Sequence, residues 1–316
     1  MKNNKKTNLK ISLVISTKDR ANDLKECLVS VLQQTEIPDE IIIVDSSKNK
    51  DTFLMLEKEG FLISKKSHFI YFYSNIQSST YQRNKGIDLA TGDIVHFLDD
   101  DVILEPDYFE QINTIYRNDE KEEIGGVGGL IIQSKRISGT NFFSDLFKKI
   151  FLLTNDNGNG QMLPSGWGVV QYRRNITKIS ETEILQGCCS YRRNILDEYR
   201  FDENLTGAAI REDLDISYRI SRKYKLIYTP FAKLYHKASP AGREDEELYY
   251  QKYIYNHYYL FRKNIPKSLF NWLCFIWSDI GSILGIMLIS LKKRSIKPIR
   301  GALKGYMQIF NKSSKK

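Results

Sequence analysis

The chain has 316 residues, of which 41% are hydrophobic, and carries a formal net charge of +9 at pH 7. This length is enough for one large domain with an appendage and for a sizeable core. From Arg262 onward there are about twelve Lys or Arg residues and a single acid, Asp279, so the remainder of the chain is close to neutral. Because the basic excess lies beside an apolar segment, it does not describe a nucleic-acid-binding face, and we expect no nucleic acid partner.

The amino terminus and the cysteines give no sign of secretion. Met1–Lys10 is polar and rich in Lys and Asn, without a secretory signal, and residues 1–8 are predicted to be disordered. The cysteines have no C-x-x-C spacing and two of them are neighbours, so we expect small apolar residues of a reducing compartment rather than a zinc site: Cys27, Cys188, Cys189 and Cys274.

The first part of the chain reads as a βαβ unit. Leu9–Ser16 is β-branched and apolar and predicts a strand, and Glu40–Val44 predicts a second strand after an intervening helix. Polar residues follow both strands, Thr17–Arg20 after the first and Asp45 after the second. Ligands of α/β sheets bind at the carboxyl ends of strands, so Asp45 is a candidate contact for a nucleobase or ribose. The alternative is an Asx-turn residue.

A third strand and another candidate binding residue come next. Asp51–Lys58 predicts a helix and Phe69–Tyr73 a strand. The residue spacing from Tyr81 to Leu89 predicts a further helix, which we expect to end at Gly92. Arg83 lies near the start of this helix, and the planar guanidinium of an arginine suits a diphosphate. An arginine on a helix face is otherwise a solvated residue, so this prediction depends on the neighbours of Arg83.

The stretch Gly92–Asp107 reads G-D-I-V-H-F-L-D-D-D-V-I-L-E-P-D. Its apolar first half predicts a buried parallel strand, which ends in three consecutive acids, Asp99, Asp100 and Asp101. Three adjacent carboxylates repel one another and are costly to bury unpaired, and a divalent cation would neutralise them. Carboxylate oxygens suit Mg2+ or Mn2+, which also bind the phosphates of a nucleotide. The alternative is a solvated acidic turn before Pro106.

Three segments in this order resemble the family-2 glycosyltransferases: S-T-K-D-R after the first strand, V-D-S-S after the second, and Q-R-N-K-G-I-D-L-A-T-G-D-I-V-H-F-L-D-D-D, which ends in the acids. The resemblance covers the chain from Asn8 to His236 and implies the nucleotide-diphospho-sugar-binding α/β fold called GT-A, which is Rossmann-like. It implies a D-x-D motif whose outer members are Asp99 and Asp101, with Asp101 the direct ligand of Mn2+ or Mg2+. It also implies nucleotide contacts from these residues: Thr17, Asp19, Arg20, Asp45, Arg83, Asp99 and Asp100. Many relatives read V-D-D-G-S after the second strand, so the loop after Asp45 departs from the family pattern.

The second half of the chain contains segments that would frame an acceptor site. Tyr108–Arg117 predicts a helix, and Gly125–Ile132 predicts a glycine-rich strand without the spacing of a phosphate-binding loop. Phe142–Gly168 is predicted to be irregular, and acceptor selection usually resides in such loops. Leu185–Asn194 resembles the family's segment before the acceptor site. Its two cysteines are expected at small-residue positions, and a nucleophilic cysteine is the alternative, although no histidine is near in sequence.

A second acidic cluster, Glu212 and Asp213, is predicted at the start of a helix, where the helix dipole favours carboxylates. By the resemblance, Asp213 matches the family's general base, which takes the proton of the acceptor hydroxyl, and Glu212 would position the acceptor. Two closing strands are predicted at Leu226–Thr229 and Ala232–His236. In the family pattern a histidine often ends this segment, so His236 is a candidate third metal ligand, with a structural hydrogen-bonding histidine as the alternative.

The carboxyl-terminal part is predicted to be helical and membrane-associated. Leu269–Leu291 carries one charge, and about 23 residues at 1.5 Å each can cross a ~30 Å hydrocarbon core. Basic residues flank both of its ends and Asp279 lies in its middle, which leaves open an in-plane or re-entrant helix, and also a hydrophobic helix packed on the domain. Ile296–Phe310 is cationic and amphipathic and suits anionic lipid headgroups. We divide the chain into a disordered start, a GT-A domain, a helical connector, and a membrane-associated helix with a basic tail: residues 1–8, 9–237, 238–267 and 268–316.

The hypothesis from the sequence is an inverting glycosyltransferase of the hexosyltransferase type at the cell membrane, with its catalytic domain in the cytoplasm. It would move a sugar from a metal-bound nucleotide-diphospho-sugar, with UDP favoured, to a hydroxyl of a glycan or lipid-linked acceptor in cell-surface polysaccharide or glycolipid synthesis. A sugar nucleotidylyltransferase is the weaker enzymatic alternative, because its first strand should lead into a glycine-rich loop. A membrane-bound scaffold that binds nucleotide sugars or glycans is the non-enzymatic alternative, and the intact Asp99, Asp101 and Asp213 argue against it.

Overall fold

The computed structural model describes residues 9–133, 142–155, 160–169, 177–241 and 244–313. The predicted disordered residues 1–8 lie outside these ranges. A mixed nine-stranded β-sheet forms the centre of the fold, with a hydrophobic cluster on each face. The first half of the chain contributes β1 (Ile11–Thr17), α1 (Ala21–Val31), β2 (Glu40–Asp45), α2 (Asp51–Lys58), a short 3-10 helix (Phe61–Ile63), β3 (His68–Tyr73), α3 (Ser79–Leu89) and β4 (Ile94–Asp99).

The strands β3, β2, β1 and β4 pair in parallel in that order. The apolar residues of β1, β2 and β4 are buried on both faces of the sheet, and Ile41, Ile42 and Ile43 of β2 are all fully buried, whereas β3 at the edge of the sheet is only partly buried. Parallel strands need crossover helices, and α1, α2 and α3 provide them. The predicted strands of this half are confirmed, and their boundaries lie within two residues of the prediction.

The second half of the chain completes the sheet and adds its helices: β5 (Val102–Leu104), α4 (Tyr108–Arg117), β6 (Ile124–Gln133), α5 (Phe142–Ile150), β7 (Ser180–Thr182), β8 (Cys189–Arg192), α6 (Arg193–Glu198), α7 (Glu212–Ser221) and β9 (Lys225–His236). The full strand order is β3-β2-β1-β4-β8-β6-β9-β5, and β7 pairs with β9. Because β8 is antiparallel to both of its neighbours, β6 runs in the same direction as β4. The carboxyl ends of β1, β2, β4, β6 and β9 therefore meet at one edge of the sheet.

Two predictions for this half are wrong. The segment Phe142–Gly168 is not irregular throughout, because its first nine residues form α5. The apolar residues of that helix recur at helical spacing, so the signal was present in the sequence. The two closing strands are one continuous strand, β9. Pro230 lies between the two predicted segments and cannot donate to a β-ladder, and a register shift in the pairing of β6 with β9 accommodates it.

Three helices follow the sheet: α8 (Glu246–Asn264), α9 (Leu269–Lys293) and α10 (Lys297–Ser313). Asp245 caps the start of α8, and its carboxylate accepts a hydrogen bond from the N–H of Glu247. Among the described residues, α9 is the one helix long and apolar enough to cross a membrane. The predicted apolar helix is thus present, and α10 corresponds to the predicted amphipathic segment.

Candidate active site

The carboxyl ends of three parallel strands bring the first predicted site residues together. In the sheet register Thr17 of β1 is the partner of Asp45 of β2, and Ser16 of β1 is the partner of Asp99 of β4. A cavity of about 770 Å³ opens at this edge, which is within the usual size of a small-molecule site. Most of the predicted site residues line it: Thr17, Arg20, Arg83, Asp99, Asp100, Asp101, Glu212, Asp213 and His236.

Two predicted nucleotide contacts, Asp19 and Asp45, are not among the residues that line this cavity. Asp45 is fully buried, and its carboxylate accepts hydrogen bonds from the N–H of Ser47 at 2.8 Å and the hydroxyl of Tyr71 at 2.9 Å. Asp19 is exposed and has a positive φ of 54°, and its carboxylate accepts from the N–H of Lys48 at 3.0 Å. Both carboxylates therefore hold the loops after β1 and β2, and their contact with a nucleotide stays a prediction.

The three consecutive acids lie in three different environments. Asp100 accepts hydrogen bonds from the hydroxyl of Thr17 at 2.8 Å and from Nη1 of Arg20 at 2.9 Å. Burial raises the pKa of Asp100 to about 6, although Arg20 and Thr17 oppose the shift. Asp101 is also buried, and its Oδ2 accepts from the N–H of Ser239 at 2.8 Å. The side chain of Asp99 is 40% exposed, so it is the most accessible of the three.

A group of three side chains has the composition of a divalent-metal site. The ligand atoms of Asp99, Asp101 and His236 lie within 4.8 Å of one another. Nε2 of His236 is 3.1 Å from the buried Oδ1 of Asp101, and this carboxylate raises the pKa of His236. Two ligands at right angles on a Mg2+ ion would be about 3 Å apart, so this separation fits a shared cation. Two carboxylates and an imidazole suit Mn2+ or Mg2+, and Asp100, held by Thr17 and Arg20, is not part of the group.

Arg83 joins the acids of β4 to the acids of α7. Its side chain is 6% exposed, and its Nη1 donates to Oε1 of Glu212 at 2.7 Å while its Nη2 donates to Oδ1 of Asp99 at 3.1 Å. Burial lowers the pKa of this guanidinium, but the charges of Glu212 and Asp99 outweigh that effect and raise it. Gly187 allows the close approach, since a β-carbon there would lie 3.2 Å from Nη2 of Arg83. Arg83 is thus a buried, permanently charged bridge rather than a solvated residue.

The first turn of α7 carries the predicted catalytic acids. Glu212 and Asp213 are its first two residues, and the N–H of Leu214 donates to Oδ1 of Asp213 at 2.8 Å. Burial raises the pKa of both carboxyls, Arg83 opposes this shift, and the negative charge of Asp99 adds to it. The two carboxyls therefore compete for ionisation, and at least one of them is a stronger base than an exposed carboxylate.

Arg211, which precedes these acids, was not predicted. It has a positive φ of 75°, and its guanidinium lies 3.9 Å from the ring centroid of Trp167 and donates from Nη1 to Nδ1 of His257 at 2.8 Å. It also lines the cavity. Its partners are 44 and 46 residues away in the chain, so no local pattern in the sequence indicated this contact.

Two further observations concern residues that the sequence left open. Asp215 is fully buried and lies 3.0 Å from Nζ of Lys263, so it attaches α7 to α8.

Cys188 and Cys189 are free and buried, and burial raises the pKa of Cys189 to about 12. A thiol that ionises this reluctantly is a poor nucleophile, which favours the small apolar role over the catalytic one.

An α/β sheet with an acid cluster at the carboxyl edge, beside a large polar cavity, is the arrangement of nucleotide-binding α/β enzymes. The family model described as Glycosyl transferase family 2 matches residues 12–200, which is more than half of the chain. The chain therefore belongs to glycosyl transferase family 2, and the family predicted from the sequence is confirmed.

The chain is similar in sequence to the glucosyl-dolichyl phosphate glucuronosyltransferase of Haloferax volcanii, with 29% identity over 143 residues, which is 44% of this chain and 44% of the relative. It is also similar to the putative glycosyltransferase EpsH of Bacillus subtilis, with 30% identity over 102 residues, 32% of this chain and 29% of the relative. The chain thus spans less than half the length of these curated relatives.

Solved structures show the same fold. GalNAc-T7, crystallised with UDP, GalNAc and Mn2+, matches with a TM-score of 0.58 and 17% identity over 78% of this chain and 48% of the other. Residues 1–349 of TarS from S. aureus, in complex with UDP, match with a TM-score of 0.51 and 16% identity over 81% of this chain and 65% of the other. At these identities the likeness concerns the fold alone, and it confirms the predicted GT-A class.

Proposed function

We propose that the protein is an inverting glycosyltransferase that moves a sugar from a nucleotide-diphospho-sugar to an acceptor hydroxyl. The observation that best supports this is that two pairs of acids line the same cavity, Asp99 with Asp101 and Glu212 with Asp213. Arg83 links the two pairs through its hydrogen bonds to Asp99 and Glu212. Such a cavity can hold a diphosphate and a base for the acceptor in one chamber.

The donor end of the cavity would be the β4 edge. Thr17, Arg20 and Arg83 supply a hydroxyl and two guanidinium groups, which suit the phosphates and ribose of a nucleotide. Asp99, Asp101 and His236 would hold the cation. When bound, Mn2+ or Mg2+ offsets the negative charge that develops on the leaving diphosphate. One solved neighbour was crystallised with UDP and Mn2+ and the other in complex with UDP, so we propose a UDP-sugar and Mn2+ as the first donor and metal to test.

The transfer itself would use Asp213 as the general base. Its carboxylate takes the proton of the acceptor hydroxyl, the acceptor oxygen forms a bond to the anomeric carbon, and the bond from that carbon to the diphosphate oxygen breaks. The nucleotide diphosphate leaves with the electron pair, and no covalent enzyme intermediate forms. Glu212, fixed by Arg83, would orient the acceptor. The raised pKa of the acidic pair suits a group that must accept a proton near neutral pH.

The acceptor is proposed to be a glycan or a lipid-linked sugar in cell-surface polysaccharide or glycolipid synthesis. The relative from Haloferax volcanii is named for a lipid-linked substrate, glucosyl-dolichyl phosphate. A lipid-linked acceptor would be bound at a membrane, and α9 is long and apolar enough to insert into a membrane. We therefore propose a location at the cell membrane with the catalytic domain in the cytoplasm, where nucleotide sugars are made.

The experiment that tests the reaction follows nucleotide diphosphate release and product formation by the detergent-solubilised protein. UDP-, GDP- and dTDP-sugars are supplied with and without Mn2+ and with a lipid extract as acceptor source. We expect one donor to be consumed with Mn2+, and Asp213→Asn to lose transfer while UDP binding stays near that of the wild type. Asp197→Asn, which changes an exposed acid of α6, is the matched control.

Two results would contradict the proposal. Full transfer by Asp213→Asn would exclude this residue as the base. A folded wild-type protein that binds none of the three nucleotides would favour the glycan-binding scaffold instead.

A further inference from the structure

The helix α9 has an inverted polarity. Its outward positions carry large apolar side chains, such as Leu273, 57% exposed, and Leu288, 59% exposed, whereas Ser278, Ser282 and Ser290 are buried. A helix of a water-soluble domain buries its apolar side and exposes its polar side. Small residues at the helix interface with apolar residues outward are typical of helices that face lipid.

The helix α5 extends this apolar surface. It ends against α9, where a β-carbon on Gly281 would collide with Phe151. Trp277 of α9 stacks on Phe151 with ring centroids 5.0 Å apart. At the start of α5, Phe143 is 80% exposed. Two helices that are separate in sequence thus present apolar side chains beside each other.

The helix α10 also contacts α9. Its Tyr306 donates a hydrogen bond to Asp279 of α9 at 2.7 Å, which satisfies the one acid in that helix. Exposed apolar residues recur along α10 at helical spacing: Leu303, Met307 and Phe310. We call the exposed apolar side chains of α5, α9 and α10 the apolar face.

The side of α9 away from the apolar face contacts α8 through side chains near both of its ends. Near the start of α9, Phe275 stacks on Phe261 of α8 with centroids 4.4 Å apart, and toward its end Ile286 is buried in a cluster with α8. α8 is attached to the candidate catalytic helix, since Lys263 lies 3.0 Å from Asp215 of α7. α9 therefore lies along the catalytic domain and not away from it.

Both ends of α9 contact this same helix α8. Trp272 packs edge-on against Phe261, with centroids 4.9 Å apart, and Lys293 forms an ion pair with Glu246 at the start of α8. A helix that crossed a bilayer would have its ends on opposite sides. In this packing a spanning α9 would draw α8 and its charged first turn into hydrocarbon, where unpaired polar groups are strongly unfavourable.

We propose that the apolar face inserts into one leaflet of a membrane, with α9 in the plane of the membrane and not across it. Exposed basic residues lie at both ends of α9, Lys267 before it, Lys292 in its last turn and Arg294 after it, and they complement anionic lipid headgroups. The apolar side chains between them reach the boundary of the acyl chains. This inference deepens the proposed membrane location and rests on packing, so it is independent of the proposed reaction.

The first test is flotation of the full chain with lipid vesicles of phosphatidylglycerol and phosphatidylethanolamine. We expect the wild type to float with these vesicles and the double variant Leu273→Glu/Leu284→Glu to remain at the bottom of the gradient, with an unchanged circular dichroism spectrum. Ile63→Glu is the matched control, because Ile63 is 84% exposed but lies on the catalytic domain. A wild type that fails to float and is a dimer, which the double variant converts to a monomer, would make the apolar face an interface between two copies and overturn the proposal.

The second test distinguishes an in-plane helix from a spanning one. The four native cysteines are buried, so single exposed cysteines can be labelled with a membrane-impermeant maleimide in sealed vesicles. We expect Lys267→Cys, Lys292→Cys and the catalytic-domain control Lys65→Cys to be labelled from the same side. Labelling of the two ends of α9 from opposite sides would show a spanning helix. Nucleotide release by the same variants, measured in detergent, reports on the reaction separately.

Discussion

Arg83 and Glu212 form an ion pair of 2.7 Å across 129 positions of sequence, and the second arm of the same guanidinium reaches Asp99 at 3.1 Å. The start of α7 is thereby fixed relative to the end of β4. The predicted base would keep its distance from the metal site because one planar guanidinium binds both Asp99, a predicted metal ligand, and Glu212, the neighbour of the base.

We expect Arg83→Met to lower kcat/KM by about 100-fold or more, equivalent to about 3 kcal/mol of transition-state stabilisation. The variant leaves two carboxylates without their cation, so the free energy of unfolding should also fall by ~3 kcal/mol. Arg83→Lys keeps the charge but cannot hold both acids, and its kcat/KM should lie between the other two. Arg117→Met, which breaks the ion pair between Arg117 of α4 and Glu36, is the control for the loss of an ion pair outside the cavity. Equal kcat/KM values for Arg83→Met and Arg117→Met would contradict the bridging role.

The pH dependence of transfer should report the acidic pair at the start of α7. Because burial raises the pKa of Glu212 and of Asp213, kcat/KM should begin to fall with decreasing pH well above the ordinary carboxylate range near pH 4. Glu212→Gln removes a neighbouring negative charge, so Asp213 ionises more easily and the acid limb should move to lower pH by about one unit. Glu120→Gln removes an exposed acid at the opposite edge of the sheet and should leave the profile unchanged. A shift to higher pH in Glu212→Gln would mean that Asp213 is not the titrating base.

The two adjacent acids that follow β4, Asp100 and Asp101, should differ in their effect on metal binding. Asp101 belongs to the group with Asp99 and His236, whereas Asp100 is held by Thr17 and Arg20. We expect Asp101→Asn to weaken Mn2+ binding, measured by calorimetry in the presence of UDP, by more than about tenfold, and Asp100→Asn to change it by less than about threefold. The two variants remove the same charge one residue apart, so each serves as the control of the other. A larger loss of Mn2+ affinity in Asp100→Asn than in Asp101→Asn would contradict the assignment of Asp101 as the metal ligand.

The site residues that could be predicted from the sequence are those that directly follow a predicted strand or begin a predicted helix. The acids after β4 and the residues after β1 follow apolar strands directly, and parallel strands bring such ends together. The start of α7 was likewise predictable, because acids at a helix start obey a local rule. By contrast, the pairing of Arg211 with His257 depends on how α8 docks, and no spacing encodes that.

The same contrast applies to the carboxyl-terminal helices. The length and composition of α9 were evident from the sequence, but its orientation was not, since an apolar segment of this length fits a core, a span or an in-plane helix. The contacts of Phe275 and Ile286 with α8 distinguish which side of the helix is covered. Once that packing is known, it is clear that α9 exposes its large apolar side chains and buries its serines.

His96 should make the stability of the fold depend on pH. It is 1% exposed, and its Nε2 lies 2.9 Å from Oδ1 of Asn113. Burial lowers the pKa of His96 to about 4, and the contact with Asn113 opposes this only in part. In the unfolded chain the pKa returns to about 6.5, so the unfolded state binds the extra proton between these values and stability decreases as the pH falls through that window.

From pH 7 to pH 5 this one histidine should lower the free energy of unfolding by about 2 kcal/mol, measured from urea unfolding curves at both pH values. His96→Gln keeps a hydrogen-bonding group toward Asn113 and cannot be charged, so the part of the pH dependence that His96 supplies should vanish in this variant. His68→Gln, which changes an exposed histidine of β3, should retain the wild-type difference between the two pH values. If His96→Gln and the wild type lose the same stability between pH 7 and pH 5, the buried imidazole is not the group that titrates, and the carboxylates of the cavity would be the next groups to replace.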